Sequence, residues 1–297
     1  MPEAPSLTVV IVTFGKPELV ANCLESLREC AGEVDRLSVV VVDNASPDDT
    51  ADVVAERFPE VKLLREPRNG GFAVANNRAL RAVDSPWVLL LNPDTQLLPG
   101  TLAHVLEQGA EHPEAGVIGC RLETADGTFD HASKRQIPTP ASALRYFFRG
   151  GRRDSSYLAP DVDERGVGYV EAINGAFMLV RVDAMRTVGL LSEKYWMYGE
   201  DLDWCVRFTQ AGWRILYDGR VTCVHLKGAI SGRARSLRLN WHFHKSMLVF
   251  FNDHAKSGNI LLDATVRVGI AGRFLTRSAR DGVVRAGERI RAIRGVS

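Results

Sequence analysis

The chain has 297 residues, 45% of them hydrophobic and 25% charged, with a formal net charge of +1. It is long enough for one sizeable core, its composition is that of an ordinary globular protein, and its balanced charge gives no support to a nucleic-acid partner. The balance is uneven along the chain, because residues 264–297 carry eight arginines against Asp281 and Glu288 alone. The five cysteines are scattered and form no CxxC pair, which predicts reduced, packed thiols. Met1 to Pro5 has neither the basic nor the apolar region of a signal peptide. No apolar run approaches the ~20 residues that a membrane span requires.

In chain order, Leu7 to Val12 is a continuous β-branched run, the mark of a strand buried on both faces. A helix follows from Pro17 to about Cys30, then a second buried strand over Leu37 to Val42. Pro47 to Thr50 starts a helix that reaches about Phe58, and Val61 to Leu64 is a short strand. Gly71 to Val83 is predicted as helix, Trp87 to Leu91 as a third buried strand, and Pro99 opens another helix. Strand and helix in alternation predict an α/β fold with a mostly parallel central sheet. Residues 121–168 lose periodicity and read as a long, partly mobile segment. Order returns with a strand over Gly175 to Arg181, a helix from about Asp201 to Ala211 stopped by Gly212, and strands over Ile215 to Tyr217 and Val221 to His225. Leu237 to His254 is predicted as helix. Residues 264–294 form a basic amphipathic pattern, with Val266, Ile270, Phe274, Val283, Ile290 and Ile293 at roughly helical spacing.

Ligands of open α/β sheets bind beyond the carboxyl ends of the strands. The polar motifs of this chain fall there: Thr13-Phe14-Gly15, Asp43-Asn44-Ala45-Ser46 and Asn92-Pro93-Asp94. Asp43 can accept the ring N–H of a pyrimidine or a ribose hydroxyl, and equally it can cap a turn. Arg68-Asn69-Gly70-Gly71 precedes a helix, where glycines allow close backbone approach, the helix N-terminus attracts phosphate, and Arg68 adds a cation. Asp94 is a candidate ligand for a hard divalent cation shared with a diphosphate; the same triplet also reads as an ordinary turn. Glu200-Asp201-Leu202-Asp203 clusters carboxylates, whose repulsion raises a pKa and readies a general base. An acidic first helical turn explains the run equally well. His225, at a strand end, is a candidate metal or diphosphate contact. His242, His244 and Lys245 are either phosphate contacts or a surface helix.

Together these motifs, with Asn69 to Asn76, Leu91 to Asp94, Asn174 to Met178 and Met197 to Asp203, resemble family 2 inverting glycosyltransferases of the GT-A fold over about residues 6–250. Asn92-Pro93-Asp94, Ser133 to Pro138 and His242 to Ser246 look like the bacterial rhamnosyltransferase branch, which uses dTDP-rhamnose and, in cell-wall examples, a polyprenyl-diphosphate-linked sugar acceptor. The resemblance implies that Thr13, Phe14, Asp43, Asn44, Arg68, Gly71, Asn76, Asn92 and Asp94 hold the nucleotide-sugar donor. It implies that Asp94, helped by His225, holds Mg2+ or Mn2+, and that Asp201 is the catalytic base with Glu200 beside it. Trp196, Tyr198 and Asp203 would face the saccharide or lipid-linked saccharide acceptor. Asn92 stands where the family's metal motif has its first Asp, which removes one charge from the cation site.

The expected division is a GT-A catalytic domain over 1–235 and a C-terminal helical region with the basic tail over 236–297. The expected location is the cytoplasm, with membrane-surface contact through 264–297 or, alternatively, a helix packed on the protein's own surface or a homodimer contact. A UDP-sugar donor, a nucleotidyltransferase and a non-catalytic nucleotide-sugar binding protein are the competing readings. Lys16 alone is a thin cation supply for the nucleotidyltransferase.

Overall fold

The structure, a computed structural model, describes residues 6–139, 159–226 and 236–293. Its N-terminal half follows the predicted alternation: strands β1 (Ser6–Thr13), β2 (Arg36–Asp43), β3 (Lys62–Arg65) and β4 (Trp87–Leu91), with helices α1 (Pro17–Glu29), α2 (Thr50–Arg57) and α3 (Phe72–Leu80) between them. These strands pair in parallel in the order β3-β2-β1-β4. The β-branched run of β1 is explained by its two faces. Leu7, Val9 and Ile11 pack into one core with α1, while Val10 and Val12 pack into another with α3. Helix α1 turns Val20, Cys23, Leu24 and Leu27 inward, as its spacing predicts.

The second half differs from the expectation of a mostly parallel sheet. After β5 (Thr95–Leu97), α4 (Thr101–Glu111) and β6 (Ala115–Glu123) come the short strands β7 (Lys134–Arg135), β8 (Val167–Val170) and β9 (Ala172–Ile173). The chain then turns at once into β10 (Phe177–Arg181), which enters between β4 and β6 antiparallel to both. A strand reached by a tight turn, with no helical crossover, is free to run antiparallel. The nine-stranded sheet is therefore mixed, in the order β3-β2-β1-β4-β10-β6-β11-β5 with β8 on β11. β11 (Arg214–His225) is one strand where two were expected. Its register shifts between Asp218 and Thr222, so the polar break is a bulge. β6 escaped the sequence reading because glycines interrupt it. A Cβ at Gly119 would lie 2.8 Å from Ile173, so this strand is thin where β9 crosses it.

Helix α5 (Val182–Val188) was not anticipated, and α6 (Glu200–Gln210) carries the acidic run. Helices α7 (Leu237–His254) and α8 (Ile260–Ile293) pack on each other through Phe251, Val266 and Ile270. The expected boundary at 235 and 236 falls beside residues 227–235, which lie outside the described residues, as do 140–158 of the segment predicted to be mobile, the side chains of Ile290 and Ile293, and Arg294. All five cysteines are free and buried. Among the described residues no helix is long and apolar enough to cross a membrane.

Candidate active site

The carboxyl ends of β1 and β2 are tied into one rim. Asn44 N–H donates to Thr13 O at 2.9 Å, and Gly15 N–H donates to Ser46 Oγ at 2.7 Å. The Ser46 hydroxyl in turn donates to the Asp43 carboxylate, which also accepts Ser46 N–H at 3.2 Å. Asp43 thus makes the turn that its alternative reading required. Each of its oxygens still has a second lone pair to offer. Thr13 is buried and directs its hydroxyl to Gly15 O, whereas Phe14 is exposed beside it. Asn44 spans the gap to the next loop, donating to Asn69 Oδ1 and Gly71 O and accepting Gly70 N–H at 3.0 Å. Asn44, Arg68, Gly70 and Trp196 line a cavity of about 510 Å³. Arg68 is exposed at its mouth and makes no ion pair among the described residues. Lys16, Ala45 and Tyr198 all have positive φ, of 66°, 62° and 72°. Such strain in non-glycine residues gathers at binding sites.

Gly71 makes room for Trp196. Its φ is 91°, and a Cβ there would lie 2.7 and 2.8 Å from two ring atoms of Trp196 and closer still to its carbonyl oxygen. The same carbonyl accepts Phe72 N–H at 2.7 Å, so the start of α3 and Trp196 are locked together. Asn76 is buried and donates to Phe72 O, within its own helix. Its neighbour Asn77 is the long-range anchor, bonding both ways with the Leu191 backbone and donating to Glu193. Trp196 also stacks on His242 of α7 at 4.2 Å, with the Arg238 guanidinium 5.1 Å from the indole centroid, and Tyr198 meets Phe243 edge-on.

Asp94 and His225 meet across the sheet because β5 pairs with the end of β11. Asp94 Oδ1 lies 3.5 Å from His225 Nε2, and His225 Nδ1 lies 3.6 Å from Asp130 Oδ2. All three residues are buried. Burial opposes a charge on His225, but the flanking carboxylates of Asp130 and Asp94 outweigh it and raise its pKa to about 9. Asp94 Oδ1 and His225 Nδ1 are buried without a hydrogen-bond partner among the described residues. No group of three or more His, Cys, Asp or Glu there is arranged to hold a metal by itself. Asp94 and the Nε2 edge of His225, once that nitrogen has released its proton, nonetheless fit a cation that takes its remaining ligands from phosphate and water. Asp130, on the other side of the ring, occupies the position from which a carboxylate fixes a metal-binding histidine's tautomer. Asn92 is pinned through its backbone, donating to Ala176 O and accepting from Thr95.

The acidic run divides three ways. Asp201 Oδ2 accepts Arg135 Nη2 at 2.6 Å and Gly175 N–H at 3.2 Å, while Oδ1 accepts Leu202 N–H at 2.8 Å. Glu200 is buried with Oε2 unbonded among the described residues, and burial together with the Asp201 charge pushes its pKa up to about 8. Asp203, expected at the acceptor, is instead a buried anchor that accepts from Arg207 at 2.8 Å, His254 at 2.7 Å and Tyr195 at 3.4 Å. Its oxygens are committed to holding α6 against α7. The turn Asn174-Gly175-Ala176 joins the two ends of the site: Ala176 O accepts Asn92 N–H, and Gly175 N–H reaches Asp201. Sequence reasoning missed Asp130, Arg135 and Asn77. The first two sit in the segment without periodicity, and nothing local distinguishes Asn77 from Asn76.

The fold is that of the GT-A glycosyltransferases. The chain superposes on a mannosyltransferase from Pyrobaculum calidifontis in complex with GDP-Man and Mn2+ with a TM-score of 0.61, at 19% identity, covering 98% of this chain and 81% of that one. S. aureus TarS in complex with UDP gives a TM-score of 0.51 at 16% identity, over 91% and 72% of the two chains. Residues 8–178 match the family described as Glycosyl transferase family 2, and the chain belongs to that family. It is 31% identical over 265 residues to the N-acetylglucosaminyl-diphospho-decaprenol L-rhamnosyltransferase of Mycobacterium tuberculosis, covering 83% of this chain and 84% of that protein.

Proposed function

We propose that the protein transfers L-rhamnose from dTDP-rhamnose to a polyprenyl-diphosphate-linked saccharide, inverting the anomeric configuration, in cell-wall or surface polysaccharide synthesis. The observation that carries this reading is the Asn174–Ala176 turn. It bonds to Asn92 on one side and to Asp201 on the other, so a diphosphate end and a carboxylate end share one scaffold. The 31% identity to the mycobacterial enzyme supports the donor and acceptor classes.

In this mechanism the rim of Thr13, Asp43 and Asn44 holds the nucleoside, and Arg68 and the α3 N-terminus meet the diphosphate. Asp201 takes the proton of the acceptor hydroxyl at Oδ1, the oxygen that carries one backbone bond, while Arg135 and Gly175 hold Oδ2 still. The freed oxygen attacks the anomeric carbon as the bond to the diphosphate breaks, so that β-L-rhamnose yields an α-linkage. Mg2+ or Mn2+ held by Asp94 and His225 would neutralise the departing nucleoside diphosphate. Glu200, buried beside the Asp201 carboxylate, is held in its uncharged form to about pH 8. Trp196 and Tyr198, braced by α7, border the acceptor side. With a lipid-linked acceptor, the reaction of this mechanism runs at the inner face of the plasma membrane.

A donor panel tests this reading: dTDP-rhamnose, UDP-glucose, UDP-GlcNAc and UDP-galactofuranose, with a GlcNAc-diphospho-polyprenol acceptor, with and without Mn2+. Rhamnosyl transfer is expected. Asp201→Asn should bind donor normally and lose roughly 10²–10⁴ in kcat. Transfer from a UDP-sugar and none from dTDP-rhamnose would overturn the donor, and undiminished turnover in Asp201→Asn would remove the base.

A further inference from the structure

Helix α8 is amphipathic in the reverse of the usual sense. Its carboxylates and several other polar side chains turn toward the protein: Asp263 and Asp281 are buried, Arg267 bonds Asn252, and Ser278 accepts from Asn240 of α7. The outward face is apolar. Leu261, Val268 and Leu275 are 80%, 71% and 65% exposed, and they follow one another at seven-residue steps that return to nearly the same side of a helix. Ile260 and Val283 extend this stripe at either end, and Ala264, Ala271 and Ala279 fill it between. From Ile260 to Val284, the charged side chains that reach solvent are arginines: Arg280 is exposed, and Arg267, Arg273 and Arg277 are partly so. Trp241 of α7, half exposed, stands at the edge of the stripe with its ring against Phe274. An isolated exposed leucine requires no explanation, but a continuous apolar face some seven turns long does.

Charge decides what covers it. Residues 236–297 hold eleven Lys and Arg against four Asp and Glu, whereas the whole chain holds 37 against 36. Both carboxylates between 260 and 285 face inward, so the rim of the stripe shows cations and no anions. A second copy of this helix would bring the same cations together with no carboxylate to meet them. An anionic lipid surface supplies the missing charge, takes up apolar side chains to the depth of the acyl boundary, and suits an indole at its edge. We propose that the outward face of α8 lies in the surface of an anionic bilayer, flat along the helix. This docking holds whichever sugar is transferred. Helix α7 connects the docked helix to the site, since it packs on α8 on one side and stacks His242 on Trp196 on the other.

The test is co-sedimentation of the full chain, without donor or acceptor, with vesicles of phosphatidylcholine mixed with phosphatidylglycerol and with vesicles of phosphatidylcholine alone. The chain should pellet with the mixed vesicles and much less with the neutral ones, and added salt should weaken binding. The triple variant Leu261→Glu, Val268→Glu, Leu275→Glu should lower the partition coefficient by on the order of 100-fold or more, with the circular-dichroism spectrum and melting temperature kept. Leu261→Ile, Val268→Ile, Leu275→Ile should bind like the parent. Equal pelleting of parent and Glu variant would overturn the proposal. So would a parent that ignores both vesicles and runs as a dimer by light scattering, with the Glu variant monomeric.

Discussion

Replacing Gly71 by alanine puts a methyl group into space that Trp196 already fills. The backbone there has φ 91° and ψ 173°, a region open to glycine and costing other residues about 1–3 kcal/mol. The new Cβ would stand 2.7 Å from the indole ring and closer to the Trp196 carbonyl, so the 196 segment must retreat. Retreat breaks the 2.7 Å bond from Phe72 N–H, worth about 1 kcal/mol, and loosens the stack on His242, worth about 0.5–1.5 kcal/mol. The total is about 3–5 kcal/mol, which in a chain of this size lowers the melting temperature by roughly 5–15 °C. Gly70→Ala is the matched control. Its φ is ordinary and its Cβ would meet the Val74 side chain at 3.0 Å, so it should cost at most about 1 kcal/mol. Differential scanning calorimetry of the three proteins, with donor affinity by titration calorimetry, gives the comparison. If Gly71→Ala melted within about 1 °C of the parent and bound donor equally well, the lock between α3 and Trp196 would not exist.

Two further predictions concern the ionisable groups. The folded-state pKa of Glu200 is raised from 4.5 to about 8, so the folded protein keeps a proton that the unfolded chain has released. Stability is therefore lost as pH rises from about 4.5 to about 8 and is unaffected below that window. Glu200→Gln should melt ever higher relative to the parent across this range, and parallel pH profiles would contradict the assignment. Asp130→Asn should weaken Mn2+ binding by roughly 10–100-fold through the orientation of His225, read by titration calorimetry in the presence of dTDP. An unchanged affinity would mean that Asp130 serves the fold alone.

The residues that were legible in the sequence share a property: each sits at the end of an element whose apolar periodicity is strong. β1, β2 and β4 read as buried strands because both faces are covered, and their polar ends marked Thr13, Asp43 and Asp94. β6 and β9 did not read, because one is thinned by glycines and the other is two residues long. Arg135 and Asp130 lie near β7, whose placement depends on pairing with a strand about forty positions away, and no local pattern encodes such a partner. The run from Glu200 to Asp203 was visible as four side chains, but their division of labour depends on Arg135, Gly175 and His254. Gly71 was noticed for its freedom from a side chain, and the neighbour that fills the space is Trp196, more than a hundred positions away, which no local pattern announces.

The bond from His254 to Asp203 bears on how separable the C-terminal helices are. His254 closes α7, Asp203 lies in the first turn of α6, and Arg207 and Tyr195 share the same carboxylate. A chain cut before α7 would leave that buried acid short of a partner, at about 1–3 kcal/mol. The two helices are thus no cassette to be exchanged freely between relatives. A chimera that imports a foreign pair must import the acid that greets it, and natural recombination would be expected to carry positions 203 and 254 as one inherited unit.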